Sequence, residues 1–318
     1  MSPLAEGEWN LSYFSDGLNG GGDLTFGSWR SGLYLLKESF EIKYGDQDVD
    51  DARLPREDGL RFGEDFTGGS TITFELGVDT VDQAAAGIAR HGANLAAVSA
   101  LKAAWDAASL RGNPGEAAVL RTVQGGRARR FYGRPRKGDT SDTKLSRQGY
   151  TPTILTYATA DGVAYDDVEK TERVGMVPAD HHGLVGPLRS PLTMTGEGAT
   201  KTPGKLWVGG DRPAWPIITF FGPISRPRCE VAGKWTAGLD LVLRAGERVA
   251  IDTRPFGRTA RTVLRNGSAS VAGALTRGTP RLKDLKLPVG RQSVKLRGGD
   301  PTASAYMVIS WRDAYSYL

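Results

Sequence analysis

The feature that most constrains the fold is a run of short strand-like segments in the last hundred residues. Turn residues separate them, among them Gly222-Pro223 and Asn266-Gly267. Asn266-Gly267 can adopt the positive φ angles of a type I′ turn, which joins two antiparallel strands. Because no helical period survives between the turns, the segments predict a β-sandwich or barrel. The predicted strands are 217–221, 234–243, 248–253, 261–265, 293–297 and 305–311.

Alternation of apolar and polar residues supports these strands. In 293–297, Val294 and Leu296 fall on one face, and Lys295 and Arg297 fall on the other. The segment 305–311 is apolar on both faces, which is typical of a strand in the centre of a sandwich or under another subunit. Further strands are predicted in the first half of the chain, in WNLSYFS, DLTFGSWR, GLYLLKESFEIKYG, STITFELGV and TPTILTYATADG.

The C-terminal half also carries a family resemblance. FFGPISRPRCEVAGKWTAGLDLVLRAGERVAIDTRP, RTVLRNGSASVAGAL, RLKDLKLPVGRQSVKLRGGD and VISWRDAYSYL follow one another in this order. Together they resemble the distal tail protein of long non-contractile siphovirus tails, often labelled minor tail protein. The version here is similar to those of phages that infect actinobacteria.

The resemblance implies a fold and an assembly. It implies a mainly β chain with one helical insertion: an α+β, ring-forming N-terminal domain over residues 1–186 and a galectin-like C-terminal β-sandwich over residues 187–318. It further implies a virion protein of the tail tip, assembled in the bacterial cytoplasm as a homohexameric ring. The expected partners are the tail tube protein, the tail hub or other tip proteins and the tape measure protein, with DNA passing through the channel.

Composition sets wider limits on the protein. With 318 residues we expect about two domains and no need for a metal or disulfide to stabilise them. The single Cys229 cannot form an internal disulfide, which fits a reducing compartment. The first residues lack the basic start and apolar core of a signal peptide, and no apolar window is long enough to span a membrane.

One stretch, from Thr80 to Leu110, has the period of a helix. Asp79 or Thr80 can cap its start, Gly92 weakens its middle so that two helical pieces are possible, and Gly112-Asn113-Pro114 ends it. The pattern predicts a surface helix that lies across a β-sheet. Its apolar stripe consists of Val81, Ala84, Ala85, Ile88, Leu95, Val98, Leu101, Trp105 and Ala108.

A basic stretch with two aromatic residues, Phe131 and Tyr132, follows the helix. Such a stretch can bind nucleic acid through phosphates and stacked bases. A strand with a basic face, or an arginine face that pairs with acidic residues of a neighbouring subunit, is the alternative, and we favour these two interpretations over nucleic acid binding. The basic residues are Arg127, Arg129, Arg130, Arg134, Arg136 and Lys137.

An acidic, glycine-rich stretch lies between Gly45 and Gly69 and predicts a long solvated loop. Its spacing of aspartates is like the opening of an EF-hand calcium loop. The sixth position of such a loop requires glycine and here holds Asp51, and Glu57 at the twelfth position has no flanking helix pattern, so we reject calcium binding. The aspartates concerned are Asp46, Asp48, Asp50 and Asp51.

The sequence contains no convincing catalytic or cofactor site. His181 and His182 are adjacent, so on a strand they would point to opposite faces, and no cysteine or third histidine lies nearby; the remaining histidine, His91, lies in the helix. Gly204-Lys205 is not a phosphate-binding loop, because Ala199 and Leu206 stand where glycine and serine or threonine are required. Carboxylate pairs such as Asp166 and Asp167 are common by chance. We therefore predict no enzyme, no metal and no cofactor.

Two functions stay open at this point. The first is the structural tail-tip ring that the resemblance implies. The second is a carbohydrate-binding minor tail protein that attaches to a glycan of the host cell wall. In the second case Trp207, Trp215 or Trp235 would stack on sugar rings, although core or interface packing explains each tryptophan more simply.

Overall fold

The computed structural model describes residues 3–15, 20–54, 56, 58–82, 87–176, 204–300, 302 and 304–318, with residues 37–39 described by their backbone alone. The chain forms two compact units. Unit 1 comprises residues 1–167, 256–258 and 315–318, and unit 2 comprises residues 168–255 and 259–314. The predicted domain boundary at residue 187 lies outside the described residues, so it stays a prediction.

Unit 1 contains most of its strands in one large sheet. Its strands in chain order are β1 (Trp9–Tyr13), β2 (Gly22–Phe26), β3 (Leu33–Lys43), β4 (Gln47–Asp48), β5 (Ala52–Arg53), β6 (Leu60–Arg61), β7 (Phe66–Thr67), β8 (Thr71–Asp79), β9 (Ala118–Gln124), β10 (Arg127–Thr140), β11 (Tyr150–Thr159) and β12 (Ala164–Asp166). The helices are α1 (Ile88–Asp106) and α2 (Ala108–Arg111), with 3-10 turns at Trp29–Ser31 and Ser146–Gln148.

The large sheet is nearly closed into a barrel. Its strands follow the order β2-β1-β9-β10-β11-β8-β3, with antiparallel pairing throughout. The two ends of this path meet at a bridge between Gly27 and Tyr34. Alternation places every second side chain of β8 inside, from Ile72 to Val78, while Glu75 points to solvent.

Aromatic packing fills the barrel core. Trp9 is fully buried, and its ring meets those of Phe40 and Phe74 edge to face at 4.8 Å each. Trp105 of α1 adds edge contacts to Phe26 at 6.0 Å and to Phe74. The C-terminal half of the helix is thereby part of the core of unit 1, as the predicted surface helix across a sheet requires.

The helix differs from its prediction at its start and in its stripe. It begins at Ile88, Gly92 does not interrupt it, and the break between α1 and α2 falls at Ala107, which has φ 43°. Thr80 is not a cap, because α1 begins only at Ile88 and the Thr80 hydroxyl donates to Gly149 O at 3.2 Å. Of the predicted stripe, Leu101 and Trp105 are buried, whereas Ile88 is 93% and Leu95 50% exposed; Ala84 and Ala85 lie outside the described residues.

The polar residue Asn94 explains why the N-terminal half of α1 needs no apolar contact. Asn94 is fully buried and its Nδ2 donates to the backbone oxygens of Val78, at 3.2 Å, and Gly149, at 2.9 Å. Thr151 Oγ1 in turn donates to Asn94 Oδ1 at 2.5 Å. These hydrogen bonds attach the first turns of α1 to β8 and β11.

Unit 2 is a β-sandwich, as predicted. Its strands are β13 (Lys170–Gly175), β14 (Gly204–Val208), β15 (Ile217–Phe221), β16 (Ile224–Val231), β17 (Trp235–Gly238), β18 (Val242–Leu243), β19 (Arg248–Asp252), β20 (Val263–Arg265), β21 (Ala269–Ser270), β22 (Gly290–Gly299) and β23 (Tyr306–Trp311), and the short β24 (Ala314–Tyr315) follows. Two 3-10 turns occur at Ala272–Ala274 and Leu282–Asp284.

Two antiparallel sheets enclose the core of unit 2. One has the order β13-β23-β15-β19-β20-β21, and the other has the order β14-β22-β16-β17 with β18 paired to β16. A single apolar cluster joins the inner faces of the two sheets, for example Ile218 and Ile309 of the first with Val294 and Leu296 of the second. Cys229 of β16 is fully buried in this cluster as a free thiol.

The sharpest turn prediction is confirmed. Asn266 and Gly267 have φ angles of 51° and 84°, and Ser268 N–H donates to Arg265 O, which closes the turn between β20 and β21. The predicted strand 234–243 is divided into β17 and β18. The mainly β class with one helical insertion is likewise confirmed.

Candidate assembly surface

The basic stretch lies on β10, in the middle of the unit 1 sheet. Arg129 is buried, its guanidinium lies 3.8 Å from the ring centroid of Tyr315, and its Nη1 lies 3.6 Å from Asp166. Arg134 donates to the backbone oxygens of Glu116, at 2.7 Å, and Asn113, at 2.6 Å. These arginines hold the fold of unit 1 together and are not available to a nucleic acid.

Asp167 is the centre of a second arginine cluster on the same sheet. Arg121 of β9 donates to its carboxylate from Nε at 3.0 Å and Nη2 at 2.7 Å, and Arg130 of β10 from Nε at 2.9 Å and Nη2 at 2.7 Å. Burial alone would raise the pKa of Asp167, but the hydrogen bonds and charges of the two arginines outweigh it and lower that pKa. The carboxylate is therefore ionised and structural.

The remaining basic side chains of the stretch point to solvent. Arg127 and Arg136 are exposed, and Lys137 is exposed and paired with Asp139 at 2.5 Å. The structure thus divides the basic stretch into a structural half and an exposed half. This arrangement favours the strand and subunit-interface interpretations over nucleic acid binding.

The acidic stretch is a β-hairpin arm rather than the solvated loop that the sequence predicts. β4 pairs with β7, and further out β5 pairs with β6. A side chain at Gly63 would collide with the backbone oxygen of Asp50, so the close approach of the two sides of the arm at this point requires glycine. Alternation gives no signal for these strands because both of their faces are in solvent.

The base of the arm is attached to unit 1 by hydrogen bonds. Tyr44 Oη donates to Ser316 O at 3.2 Å. Ser70, immediately after the arm, is buried; its N–H donates to Thr159 Oγ1 at 2.7 Å, and its carbonyl accepts from the N–H of Thr159 at 2.8 Å. These hydrogen bonds fix the two ends of the arm to the rest of unit 1.

The arm buries almost none of its own surface. From Asp46 to Gly69 every described residue is exposed except Leu54. Several of these residues are large and apolar, with Phe62 82% and Phe66 56% exposed. Residues 45–69 carry eight acidic and three basic side chains, a net charge of −5 in a chain whose net charge is +5. An apolar, acidic element of this kind matches an apolar surface with basic residues around it.

A hollow of about 700 Å³, with polar as well as apolar groups in its wall, opens on the surface of unit 1. Trp29 at its edge is 74% exposed and stacks on Tyr34 at 4.1 Å. Leu35, Leu36 and Phe40 are among the residues that line the hollow. Sequence reasoning did not single out Trp29, because an isolated tryptophan beside a turn gives no sign of whether it is buried.

The three tryptophans proposed for sugar stacking lie in unit 2 and differ in exposure. Trp235 packs on the core and its Nε1 donates to Lys286 O at 2.7 Å. The ammonium group of Lys286 lies 4.4 Å from the ring centroid of Trp215. Trp207 on β14 is 59% exposed. Of the three, Trp207 has the freest ring.

Two further candidate sites of the sequence are Gly204-Lys205 and the histidine pair. Gly204 begins β14, so Gly204-Lys205 lies on a strand and not on a phosphate-binding loop. His181 and His182 lie outside the described residues. Within the described part of the chain there is no group of three or more His, Cys, Asp or Glu side chains that could hold a metal, and no helix long and apolar enough to cross a membrane.

Comparison with solved structures finds chains of similar fold. The Dit protein (gp 19.1) of phage SPP1, described as a paradigm of the hub adsorption apparatus in phages that infect Gram-positive bacteria, superposes with a TM-score of 0.52. The identity is 9%, over 98% of this chain and 99% of that one. The phage P2 baseplate in its activated conformation with calcium is less similar, with a TM-score of 0.49, 8% identity and coverage of 95% and 97%. No family model and no curated protein matches the chain.

Proposed function

We propose that the protein is a structural component of a phage tail tip and assembles into a closed ring that joins the tail tube to the tip. The fold of the SPP1 Dit protein over nearly the whole chain supports this proposal. By this proposal it is a virion protein and no enzyme, a homohexamer assembled in the bacterial cytoplasm. The tail tube, hub and tape measure proteins are its neighbours, and DNA passes through the ring.

The observation that carries the ring is the arm. A hairpin with exposed phenylalanines and no partner among the described residues of its own chain is costly in water, and burial of such surface against another copy is favourable. In the proposed ring each copy gives its arm to the next copy in one direction, which is a heterologous contact, and such a contact closes into a ring when its rotation divides a full turn.

The described surface of unit 1 offers a match for the arm. The hollow beside Trp29 is open and has apolar side chains in its wall, and Arg30 next to it is exposed. An apolar side chain of the arm would be buried there, while the acidic residues of the arm stay near cationic groups. A ring contact of this kind should bury more than about 1,000 Å² in total.

The experiment is light scattering of the purified full-length chain across a concentration series. We expect a discrete mass near six times 34.1 kDa. A protein that stays monomeric at high concentration and is absent from purified virions would contradict the proposal. A discrete mass at another multiple of the chain mass would support a ring with a different number of copies.

A further inference from the structure

The outer face of the five-stranded sheet of unit 2 is dominated by cationic side chains. Because strand residues alternate, the inward Leu206, Val294 and Leu296 leave their neighbours on the outer face. Pairing brings these neighbours side by side across β14, β22 and β16. The facing pairs are Trp207 with Arg291, Lys205 with Ser293, Lys295 with Glu230, and Arg297 with Arg228.

Acidic residues neutralise little of this face. Glu230 accepts from Arg297 Nε at 2.6 Å. Beyond Arg228 the band continues into a hollow lined by Arg226, Arg277 and Asp240. Among the residues named for the band and the hollow, seven are cationic, namely Lys205, Arg226, Arg228, Arg277, Arg291, Lys295 and Arg297. Two are acidic, so the surface has a strong positive excess that would attract a polyanion.

Trp207 lies at the other end of the band. Its ring is 59% exposed, and the guanidinium of Arg291 lies 5.9 Å from the ring centroid. An indole in this position offers a flat apolar face next to positive charge. A pyranose ring can stack on such a face while its substituents contact cations.

We propose that this sheet face binds an anionic polysaccharide, with its carboxylate or phosphate groups on the arginines and lysines and one sugar ring on Trp207. Nucleic acids fit less well. Single strands are held by several aromatic side chains that stack successive bases, and Trp207 is the one aromatic residue on the described part of this face. Duplex DNA is read by an element that enters a groove, which a flat sheet face does not offer. The inference uses unit 2 alone and does not depend on ring formation.

The test is binding of full-length protein to polygalacturonate, measured by calorimetry at low and at high salt concentration. We expect affinity that falls as salt rises, because exposed charge contacts are screened. R291Q/K295Q should weaken binding by roughly tenfold or more, and Trp207→Ala by about fivefold, as expected for charge-assisted and stacking contacts. The matched control R248Q/K283Q removes one arginine and one lysine that are exposed elsewhere in unit 2, and should change affinity by less than about twofold.

Several results would overturn the proposal. Equal binding of neutral pullulan would show that charge is not recognised. An equal loss in R248Q/K283Q would show that net charge and not this face is responsible. Tighter binding of oligo-dT would assign the face to nucleic acid, and loss of self-association in R291Q/K295Q without any polygalacturonate binding in the wild type would assign it to a second copy. Circular dichroism of each variant separates these results from misfolding.

Discussion

Asp167 accepts hydrogen bonds from two arginines on neighbouring strands, Arg121 and Arg130, in a mostly buried position. Asp167→Asn would remove the negative charge that both guanidinium groups share, so we expect the free energy of unfolding to fall by about 3 kcal/mol in urea denaturation. Asp139→Asn is the control, because it removes an exposed partner of Lys137 and should cost less than about 1 kcal/mol. Equal losses of unfolding free energy in the two variants would show that the Asp167 cluster stabilises the protein no more than the exposed pair does.

The same carboxylate predicts how stability depends on pH. Its pKa in the folded protein lies below the ordinary value of 3.8, so its contribution is present above that value and is lost as the pH falls through the lowered pKa. We therefore expect the stability difference between wild type and Asp167→Asn to be constant near neutrality and to shrink in acid. A difference that grows in acid would contradict this assignment.

At the scale of single residues the sequence predicts faces better than partners. The alternation of β22 is observed as predicted, with Val294 and Leu296 buried and Arg297 exposed. The role of Arg130 could not be predicted, because its partner Asp167 is distant in sequence and belongs to a carboxylate pair that looked accidental. Pairings of this kind depend on which strands become neighbours, and the residue pattern within a single segment does not contain that information.

The arm is an element whose removal should separate assembly from folding. Deletion of residues 46–68 joins Gly45 to Gly69, which lie close together at the base of the arm. Because the described residues of the deleted segment contribute nothing to the core of unit 1, we expect a melting temperature within a few degrees of the wild type and a monomer by light scattering. An arm-less protein that still forms the full assembly would show that the arm is not the contact.

Point variants refine this element. Phe62→Ser and Phe66→Ser each remove a large exposed phenyl group of the arm. Each should weaken association by roughly tenfold or more if that phenyl group is buried in the interface between copies. Val242→Ser is the control, since Val242 is a comparably exposed apolar residue of unit 2. Sedimentation velocity at several concentrations measures both.

Elements were predicted unequally well from sequence. Segments with one buried face, such as β8 and β19, are recognisable in the sequence by the alternation of apolar and polar residues. The arm strands have no buried face, so their sequence looks like a solvated loop. In α1 the apolar Ile88 and Leu95 suggested an inward stripe, but the buried Asn94 holds that half of the helix through hydrogen bonds and the apolar residues face solvent. Periodicity reports burial only where apolar packing supplies the contact.

For the whole molecule the sequence predicted a mainly β chain with a C-terminal sandwich, and both are observed. Assembly could not be derived in the same way, because a ring depends on the match between two different surfaces of two copies. The exposed arm and the hollow beside Trp29 are recognisable as unpartnered surfaces only once the core residues have been assigned. The proposed heterologous contact has a consequence that a symmetric dimer contact lacks.

Each copy in a heterologous ring gives one arm and receives another, so an arm-less copy can still receive. When wild-type and arm-less chains are refolded together, arm-less copies should enter the assembly and leave it open at one contact. With equal amounts of both chains, the fraction of complete six-membered rings should fall to about 2%, if all copies enter equally. Native mass spectrometry would show open oligomers containing arm-less chains. Wild-type hexamers that form undiminished beside excluded arm-less monomers would mean that an arm-less copy cannot receive an arm either, which would contradict the one-directional contact.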